Sequence, residues 1–232
     1  MSLAAPRPPR RSALPEGIEL LHADGALLVL SKPAGLLSVP GRGPENADCL
    51  STRVQARYAD ALIVHRLDMG TSGLMVMARG AAAQSALSRA FARREVSKRY
   101  QAVVAGRPDP TQADAEGWSD IHLPLIVDWP NRPKSKVCFE TGKPSHTRWR
   151  ALEALHIGAL AATRLELEPV TGRSHQLRLH LQAIGHAILG DELYADEAAL
   201  DAAPRLLLHA CAIELPHPVT GERLRFESPA PF

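Results

Sequence analysis

Short apolar runs separated by brief turns constrain the fold of this chain more than any other feature of its sequence. Runs such as residues 26–32 and 74–79 are rich in large and β-branched residues and are too short for typical helices. Most connections between runs are shorter than the dozen residues that a parallel crossover needs. The pattern predicts one α+β domain on a mixed, mainly antiparallel sheet, in which strands outnumber helices.

Turn signals divide the chain into further elements. The predicted elements are a hairpin at 18–32, a loop at 33–44, a helix at 81–94, an excursion at 106–135 and two meander strands within 145–169. Two further helices are expected from capping residues. One begins at Asp48 and carries Tyr58 on its apolar face, and the other begins at Ser174 and ends at Gly185.

Composition excludes several classes of protein. The 232 residues are 45% hydrophobic and 22% charged, which excludes a wholly disordered chain, a collagen-like repeat and a coiled coil. No apolar stretch approaches the ~20 residues that span a bilayer, so no membrane partner is expected. The three cysteines form no CxxC motif and suit the reducing cytoplasm. Residues 1–16 are expected to form a flexible, basic, Pro-rich tail before a single domain at 17–232.

Basic residues cluster although the whole chain is nearly neutral. Lys and Arg number 27 against 25 Asp and Glu, for a net charge of +2. They concentrate at 89–99, which includes Arg93 and Lys98, and at 132–150. Such stretches bind phosphate in nucleic acids. A solvated basic helix face explains the first stretch equally well.

Residues 64–79 place polar groups between two apolar runs, and His65, Arg66 and Asp68 lie in this turn. A carboxylate there can act as a nucleophile or a base. The alternative is an Asx-turn in which Asp68 binds the backbone of Gly70. A hydrolase triad of Ser72, His65 and Asp68 is disfavoured, because residues this close in one turn rarely converge and no GxSxG motif is present.

The segment 171–191 adds two further candidates for a functional site. Thr171-Gly172-Arg173 leads into a helix N-terminus, where backbone N–H groups favour phosphate or carboxylate. Arg178 falls at the border of the buried face of that helix and therefore needs an acidic partner. The histidines at 175, 180 and 186 do not share one helix face, so a metal site there is not expected.

Four motifs together resemble the RluA-type pseudouridine synthases. They are KPAGLLSVPGR at 32–42, HRLDMGTSGL at 65–74, KRY at 98–100 and GRSHQLRLH at 172–180. The likeness extends from about residue 18 to the C-terminus, and residues 123–144 and 189–195 resemble the shorter, dual-specificity members most. The S4 domain found in many members is not expected, because residues 1–16 are too short for one.

The resemblance implies a pseudouridine-synthase-like fold and isomerisation of uridine to pseudouridine without a cofactor or metal. Asp68 matches the catalytic aspartate, Tyr100 the tyrosine that stacks on the target uracil, and Arg178 the arginine that pairs with the aspartate. Arg66 matches an arginine that fills the space left by the flipped nucleotide. From its residue type alone, a strand tyrosine such as Tyr100 is slightly more often plain core.

The implied partner is RNA, with no DNA, and the expected targets are one uridine in 23S rRNA and one in the anticodon stem-loop of tRNA. The chain is expected to act as a cytoplasmic monomer. Two alternatives stay open: an enzyme specific for rRNA or tRNA alone, and a non-catalytic RNA-binding protein on the same fold. The expected RNA-binding residues are His65, Arg66, Arg93, Lys98, Arg173 and His175.

Overall fold

The computed structural model describes residues 17–232, apart from the side chain of Glu45. The tail expected at residues 1–16 lies outside this range. The described residues form twelve strands and four α-helices. The strands are β1 (Glu19–Ala23), β2 (Leu27–Lys32), β3 (Ala61–Ile63), β4 (Ser72–Arg79), β5 (Ser97–Ala105), β6 (Ser119–His122), β7 (Leu125–Val127), β8 (Ser135–Val137), β9 (His146–Ile157), β10 (Leu160–Pro169), β11 (Leu208–Pro216) and β12 (Arg223–Glu227). The α-helices are α1 (Leu50–Gln55), α2 (Gly80–Ala92), α3 (Gln176–Ala183) and α4 (Glu197–Asp201).

One mixed sheet dominates the structure of the described residues. Its path runs β1-β2-β4-β11-β5-β10-β9-β6, with β12 paired to β11 and β3 paired to β4. The pairing of β4 with β11 is parallel, and the other strand pairs are antiparallel. The prediction of an α+β fold on a mainly antiparallel sheet is therefore confirmed. Strands β7 and β8 form a separate hairpin. It begins inside the segment predicted as an excursion, 106–135, and ends two residues beyond it.

Both faces of β2 are buried, which explains why its first four residues, 27–30, are all apolar. Leu27 and Val29 pack in one cluster with Leu87 of α2. Leu28 and Leu30, which point to the opposite face, pack in another cluster with residues of α1. Alternation of polar and apolar residues is lost when both faces of a strand are covered. Each such side chain contributes about 1.5–3 kcal/mol on full burial.

The first predicted helix cap is wrong. The N-cap of α1 is Cys49, whose sulfur accepts a hydrogen bond from the backbone N–H of Thr52. Asp48 instead forms an ion pair with Arg53, with Oδ2 2.6 Å from Nη2. Tyr58 lies beyond the end of α1. A carboxylate that can reach a guanidinium in the helix that follows it is drawn away from the backbone donors of that helix.

The second predicted cap is also displaced by one residue. The N-cap of α3 is His175, in the left-handed conformation with φ 55° and ψ 20°, and not Ser174. The side chain of Gln176 accepts hydrogen bonds from Arg173 N at 3.0 Å and Thr171 Oγ1 at 2.7 Å. These bonds hold the loop before α3 against the first turn of the helix. The backbone therefore turns sharply at His175, which adopts the left-handed conformation. Gly185, with φ 86°, ends this helix as predicted.

Gly73 sets the distance between β4 and β11. Its φ is +109°, and a Cβ at this position would collide with the backbone carbonyl of Ala210. Glycine therefore permits the parallel contact in which Gly73 lies beside Ala210. Loop 64–71 leads directly into β4, so this contact also fixes the end of that loop beside β11. Among the described residues, no helix combines the length and apolar character needed to cross a bilayer.

Candidate active site

A cleft of about 690 Å³ lies between loop 64–71, strand β5 and the start of α3. Eight of the nine predicted site residues line it: His65, Arg66, Asp68, Lys98, Tyr100, Arg173, His175 and Arg178. Arg93 is the exception, since it is exposed at the C-cap of α2 and does not line the cleft. The tertiary structure thus brings together three segments that are far apart in the sequence.

Asp68 presents a carboxylate without a hydrogen-bond donor among the described residues. Its backbone carbonyl closes a turn by accepting from Thr71 N at 3.1 Å. The carboxylate makes no bond to Gly70, so the Asx-turn alternative is wrong. The nearest nitrogens of basic side chains are Arg178 Nη1 and His175 Nε2, at 3.6 and 3.9 Å from Oδ2. The carboxylate oxygens are therefore oriented for a partner in the cleft.

Lys32 holds the loop that carries Asp68. Its side chain is 1% exposed, and Nζ donates to the carbonyls of Pro33, Leu36 and Met69 at 2.8, 2.8 and 3.1 Å. Burial lowers the pKa of Lys32 to about 8, although the nearby charge of Asp68 opposes that shift. Lys32 was not among the predicted site residues, although it is the first residue of the 32–42 motif.

Arg178 pairs chiefly with Asp191, which the sequence analysis missed. Its Nε and Nη2 donate to the two Asp191 oxygens at 2.8 and 2.6 Å. Asp191 is 1% exposed and also accepts from the backbone N–H groups of Leu193 and Tyr194. Burial alone would lower the pKa of Arg178, but its hydrogen bonds and the charge of Asp191 raise it overall. Arg178 therefore has the acidic partner that the sequence predicted, but that partner is Asp191. Asp68 is the more distant of the two carboxylates near the Arg178 guanidinium.

His175 connects Asp68 to Tyr194. Its Nδ1 lies 2.9 Å from the Tyr194 hydroxyl oxygen, which accepts from Ser135 N at 2.7 Å. Burial lowers the pKa of His175 in spite of the charge of Asp68. A neutral ring that accepts the Tyr194 proton at Nδ1 carries its own proton on Nε2, the atom that faces Asp68. The left-handed turn at His175 produces this orientation.

Tyr100 lies in the middle of the sheet and at the wall of the cleft. Its strand neighbours are Ala210 on β11 and Leu167 on β10. The half-buried ring packs against two apolar clusters. Burial raises the pKa of Tyr100, and the charge of Asp68 raises it further. Tyr100 therefore belongs to the core and also presents a neutral aromatic surface to the cleft.

Cations in the cleft differ from the other arginines in their partners. Among the described residues, Arg66, Lys98 and Arg173 have no carboxylate within ion-pairing distance. Three arginines of the predicted basic stretches instead pair with acidic residues and cover the ring of Trp118: Arg99, Arg148 and Arg150. The basic stretches 89–99 and 132–150 were expected to bind the phosphates of the RNA backbone. These three guanidinium groups are already neutralised by carboxylates, so they are less available for that role.

His65 makes structural contacts with strand β4 and helix α2. Its Nε2 accepts a hydrogen bond from Val76 N at 2.9 Å, and its ring stacks on Phe91 with centroids 4.7 Å apart. Burial, followed by the charge of Lys98, lowers the pKa of His65 to about 3. Ser72 bonds to His209 Nδ1 at 2.9 Å and not to His65, so the hydrolase triad is absent.

Comparison with known proteins agrees with this geometry. The family model described as RNA pseudouridylate synthase matches residues 26–183. The "Dual-specificity RNA pseudouridine synthase RluA" of Escherichia coli K12 is 51% identical over 213 residues, which cover 92% of this chain and 93% of that protein. The protein of the same name from Pasteurella multocida is 45% identical over 215 residues, covering 93% and 94%.

Solved structures show the same architecture. "Human RNA Pseudouridylate Synthase Domain Containing 1" superimposes with a TM-score of 0.77 at 25% identity, covering 94% of this chain and 85% of that one. "Human RNA Pseudouridylate Synthase Domain Containing 4" shares the fold with a TM-score of 0.71 at 24% identity, covering 91% and 88%. Apolar patterning, the four motifs, the cleft and these relatives agree, and the chain belongs to the RNA pseudouridylate synthase family, the isomerases that act on uridine in RNA.

Proposed function

We propose that the protein is a dual-specificity enzyme that converts one uridine in 23S rRNA and one in the anticodon stem-loop of tRNA to pseudouridine. The observation that carries the proposal is the carboxylate of Asp68, which has no hydrogen-bond donor from the described residues and faces the cleft beside Arg178. The relatives named as dual-specificity enzymes support two substrates, because they match nearly the whole chain at about half identity.

Asp68 is the proposed catalytic carboxylate. The isomerisation breaks the C1′–N1 bond of uridine, rotates the uracil and joins C5 to C1′, while C5 loses a proton and N1 gains one. Three routes are open to a carboxylate: attack at C1′, attack at C6 and removal of a ribose proton. Each uses the carboxylate form, and the guanidinium Nη1 of Arg178 lies 3.6 Å from Asp68 Oδ2.

Tyr100 is proposed to hold the detached uracil. A base must first leave the RNA stack, which costs a few kcal/mol and least in loops. The aromatic wall at Tyr100 offers a stacking surface for the flipped base. Arg66, which is exposed at the cleft, is proposed to fill the gap left in the RNA.

The remaining cations are proposed to bind the RNA backbone. Lys98 and Arg173 line the cleft without carboxylate partners among the described residues, so phosphate oxygens can neutralise them. His175 is proposed to contact the nucleotide next to Asp68. His65 and Arg93 remain proposed RNA contacts, the first at the cleft wall and the second outside it.

We further propose that residues 17–232 act as one catalytic domain and that the enzyme is a cytoplasmic monomer. The residues that line the cleft are spread from Val64 to Leu208, which supports a single catalytic domain. The cysteines in the described residues are free thiols, which suits a reducing compartment. Light scattering of the purified chain measures the oligomeric state directly.

Release of tritium from RNA labelled at uridine C5 tests the activity. The wild-type protein is expected to release label from both a tRNA anticodon stem-loop and a 23S rRNA hairpin. Asp68→Asn is expected to bind both RNAs and release none, while the exposed Asp201→Asn serves as the matched control. Release of label from only one of the two RNAs would show that the enzyme has single rather than dual specificity. Binding without any release by the wild type supports the non-catalytic alternative, and full activity of Asp68→Asn rejects its catalytic role.

A further inference from the structure

Three metal-binding side chains converge at the outer edge of the sheet, outside the catalytic cleft. His122 on β6 lies directly opposite His146 on β9. Asp120 precedes His122 by two residues, so the two side chains share one face of β6. The imidazole nitrogens and the carboxylate oxygen of these three residues all lie within 4.8 Å of one another.

The geometry requires only side-chain rotation to surround an ion. Donor atoms around a four-coordinate Zn²⁺ lie about 3.4 Å apart, given bonds of about 2.0–2.1 Å. His146 Nε2 lies 2.5 Å from Asp120 Oδ1, so these two atoms must separate by about 0.9 Å to admit the ion. The rings of His122 and His146 stack with centroids 4.0 Å apart. Asp120 and His122 are exposed, so their side chains are free to adjust while the paired strands hold the backbone.

We propose that Asp120, His122 and His146 bind one divalent transition-metal ion of the Zn²⁺ class. Two imidazoles with one carboxylate are the donor set that zinc and its neighbours prefer, whereas Mg²⁺ and Ca²⁺ favour oxygen ligands. The fourth position faces solvent because two of the three residues are exposed. No metal site was expected from the sequence. The histidines weighed there as metal ligands were those at 175, 180 and 186, and Asp120, His122 and His146 were not among them.

A neighbouring cation weakens this site without occupying it. Arg148 Nε lies 3.8 Å from Asp120 Oδ1. The same guanidinium is held by Asp114 at 2.6 Å and lies 3.6 Å from Glu168. Glu168 pairs more closely with Arg99, at 2.9 Å, so Asp114 is the main partner of Arg148 and Asp120 keeps an oxygen for the metal.

The proposed site is connected to the cleft through the backbone of His146. His146 N donates to Thr171 Oγ1 at 2.9 Å, and its carbonyl accepts from Gln176 Nε2 at 2.9 Å. Thr171 and Gln176 both line the cleft. A metal that immobilises His146 therefore stiffens the wall that carries Arg173 and His175, and it stabilises the folded chain because it binds the native pairing of β6 with β9.

Calorimetric titration of the full chain with ZnCl₂ tests the site, with Co²⁺ absorption as a measure of coordination. One ion is expected to bind, to raise the melting temperature and to produce the intense visible bands of four-coordinate cobalt. His122→Gln and Asp120→Asn are expected to weaken binding at least tenfold. His156→Gln, which changes an exposed histidine on the same strand β9, is the matched control and is expected to bind as the wild type does.

The outcomes decide the proposal independently of activity. Melting of each variant in the absence of metal shows whether the substitution has disturbed the fold, and unchanged melting with lost binding supports the site. Absence of saturable binding to the wild type overturns the proposal, as does binding to His122→Gln that equals binding to His156→Gln. Neither result affects the proposed role of Asp68, which tritium release measures separately.

Discussion

The buried carboxylate of Asp191 binds Arg178 through Nε and Nη2 and leaves Nη1 of the same guanidinium 3.6 Å from Asp68. Two carboxylates therefore share one cation with different roles. Asp191 is enclosed and already accepts backbone hydrogen bonds, so it orients the arginine. Asp68 is the carboxylate that remains accessible to a nucleotide.

Asp191→Asn is expected to reduce turnover at least about 100-fold, since a misplacement of about 1 Å near the reacting atoms has that effect. Arg178→Leu is expected to reduce turnover equally. Each single change also leaves a buried charge unpaired, which destabilises the fold by about 3–5 kcal/mol. Tritium release and urea unfolding measure the two effects.

The double variant Arg178→Met with Asp191→Asn separates positioning from stability. It removes both charges, and the Asn oxygen can still accept from the backbone N–H groups of Leu193 and Tyr194, so stability is expected to return while turnover stays low. If turnover recovers together with stability, Asp191 and Arg178 serve the fold alone.

Tyr100→Phe is expected to keep RNA binding because the stacking surface is unchanged. Tyr100→Ala removes that surface and is expected to weaken binding by about 1–3 kcal/mol. Fluorescence anisotropy with a labelled stem-loop measures the affinity, with Tyr58→Ala as a control outside the cleft. Loss of binding with Phe argues against stacking.

Arg66→Gln, Lys98→Gln and Arg173→Gln are each expected to lower the salt dependence of RNA binding, by a slope of about 1 per lost phosphate contact. Affinities over a range of KCl concentrations give the slope. Arg225→Gln changes an exposed arginine that pairs with Glu227 and is expected to leave the slope unchanged. Equal slopes for all four variants would remove these cations from the RNA interface.

Acid is expected to destabilise the fold through His65 and His180. Their pKa values in the folded chain are about 3 and about 4, against the ordinary 6.5. Burial is the first cause for both, and His180 Nε2 also donates to the carbonyl of Leu123. Between pH 6.5 and these values the unfolded chain binds more protons, so stability is complete above pH 6.5 and falls as the pH decreases.

The expected loss from pH 6.5 to pH 5 is about 2 kcal/mol for each histidine. Urea unfolding at several pH values measures it. His180→Gln is expected to flatten the pH dependence by the share of one histidine, while the exposed His156→Gln is expected to leave it unchanged. A pH profile of His180→Gln identical to that of the wild type contradicts the assignment.

Gly73→Ala is expected to destabilise the chain strongly and abolish turnover, because the new Cβ meets the backbone of Ala210. Gly80→Ala is the matched control, since its φ of +78° is also positive but no heavy atom lies within 4 Å of the new Cβ. The control is expected to cost only about 1–2 kcal/mol. Similar melting temperatures for the two variants would show that the close contact of β4 with β11 is not needed.

Much of the fold and of the site follows from local sequence. Apolar runs predict strands such as β2 and β4 because large and β-branched side chains suit a sheet. The motifs around Asp68, Tyr100 and Arg178 were sufficient to indicate the family, and the structure places all three in one cleft. These properties depend on residue types and on spacings within short segments, so they can be read along the chain.

Other features depend on contacts between distant segments. Asp191 as the partner of Arg178, Lys32 as the clamp on the loop of Asp68, and the convergence of His122 with His146 all arise when strands and loops pair. The N-cap of α3 is His175 rather than the predicted Ser174, because the Gln176 side chain binds the preceding loop and β9. The type of a residue shows which kind of partner it needs. Strand register and loop packing decide which residue supplies that partner. The reason is that a buried charge or donor pairs with whichever group the folded chain brings within hydrogen-bonding distance.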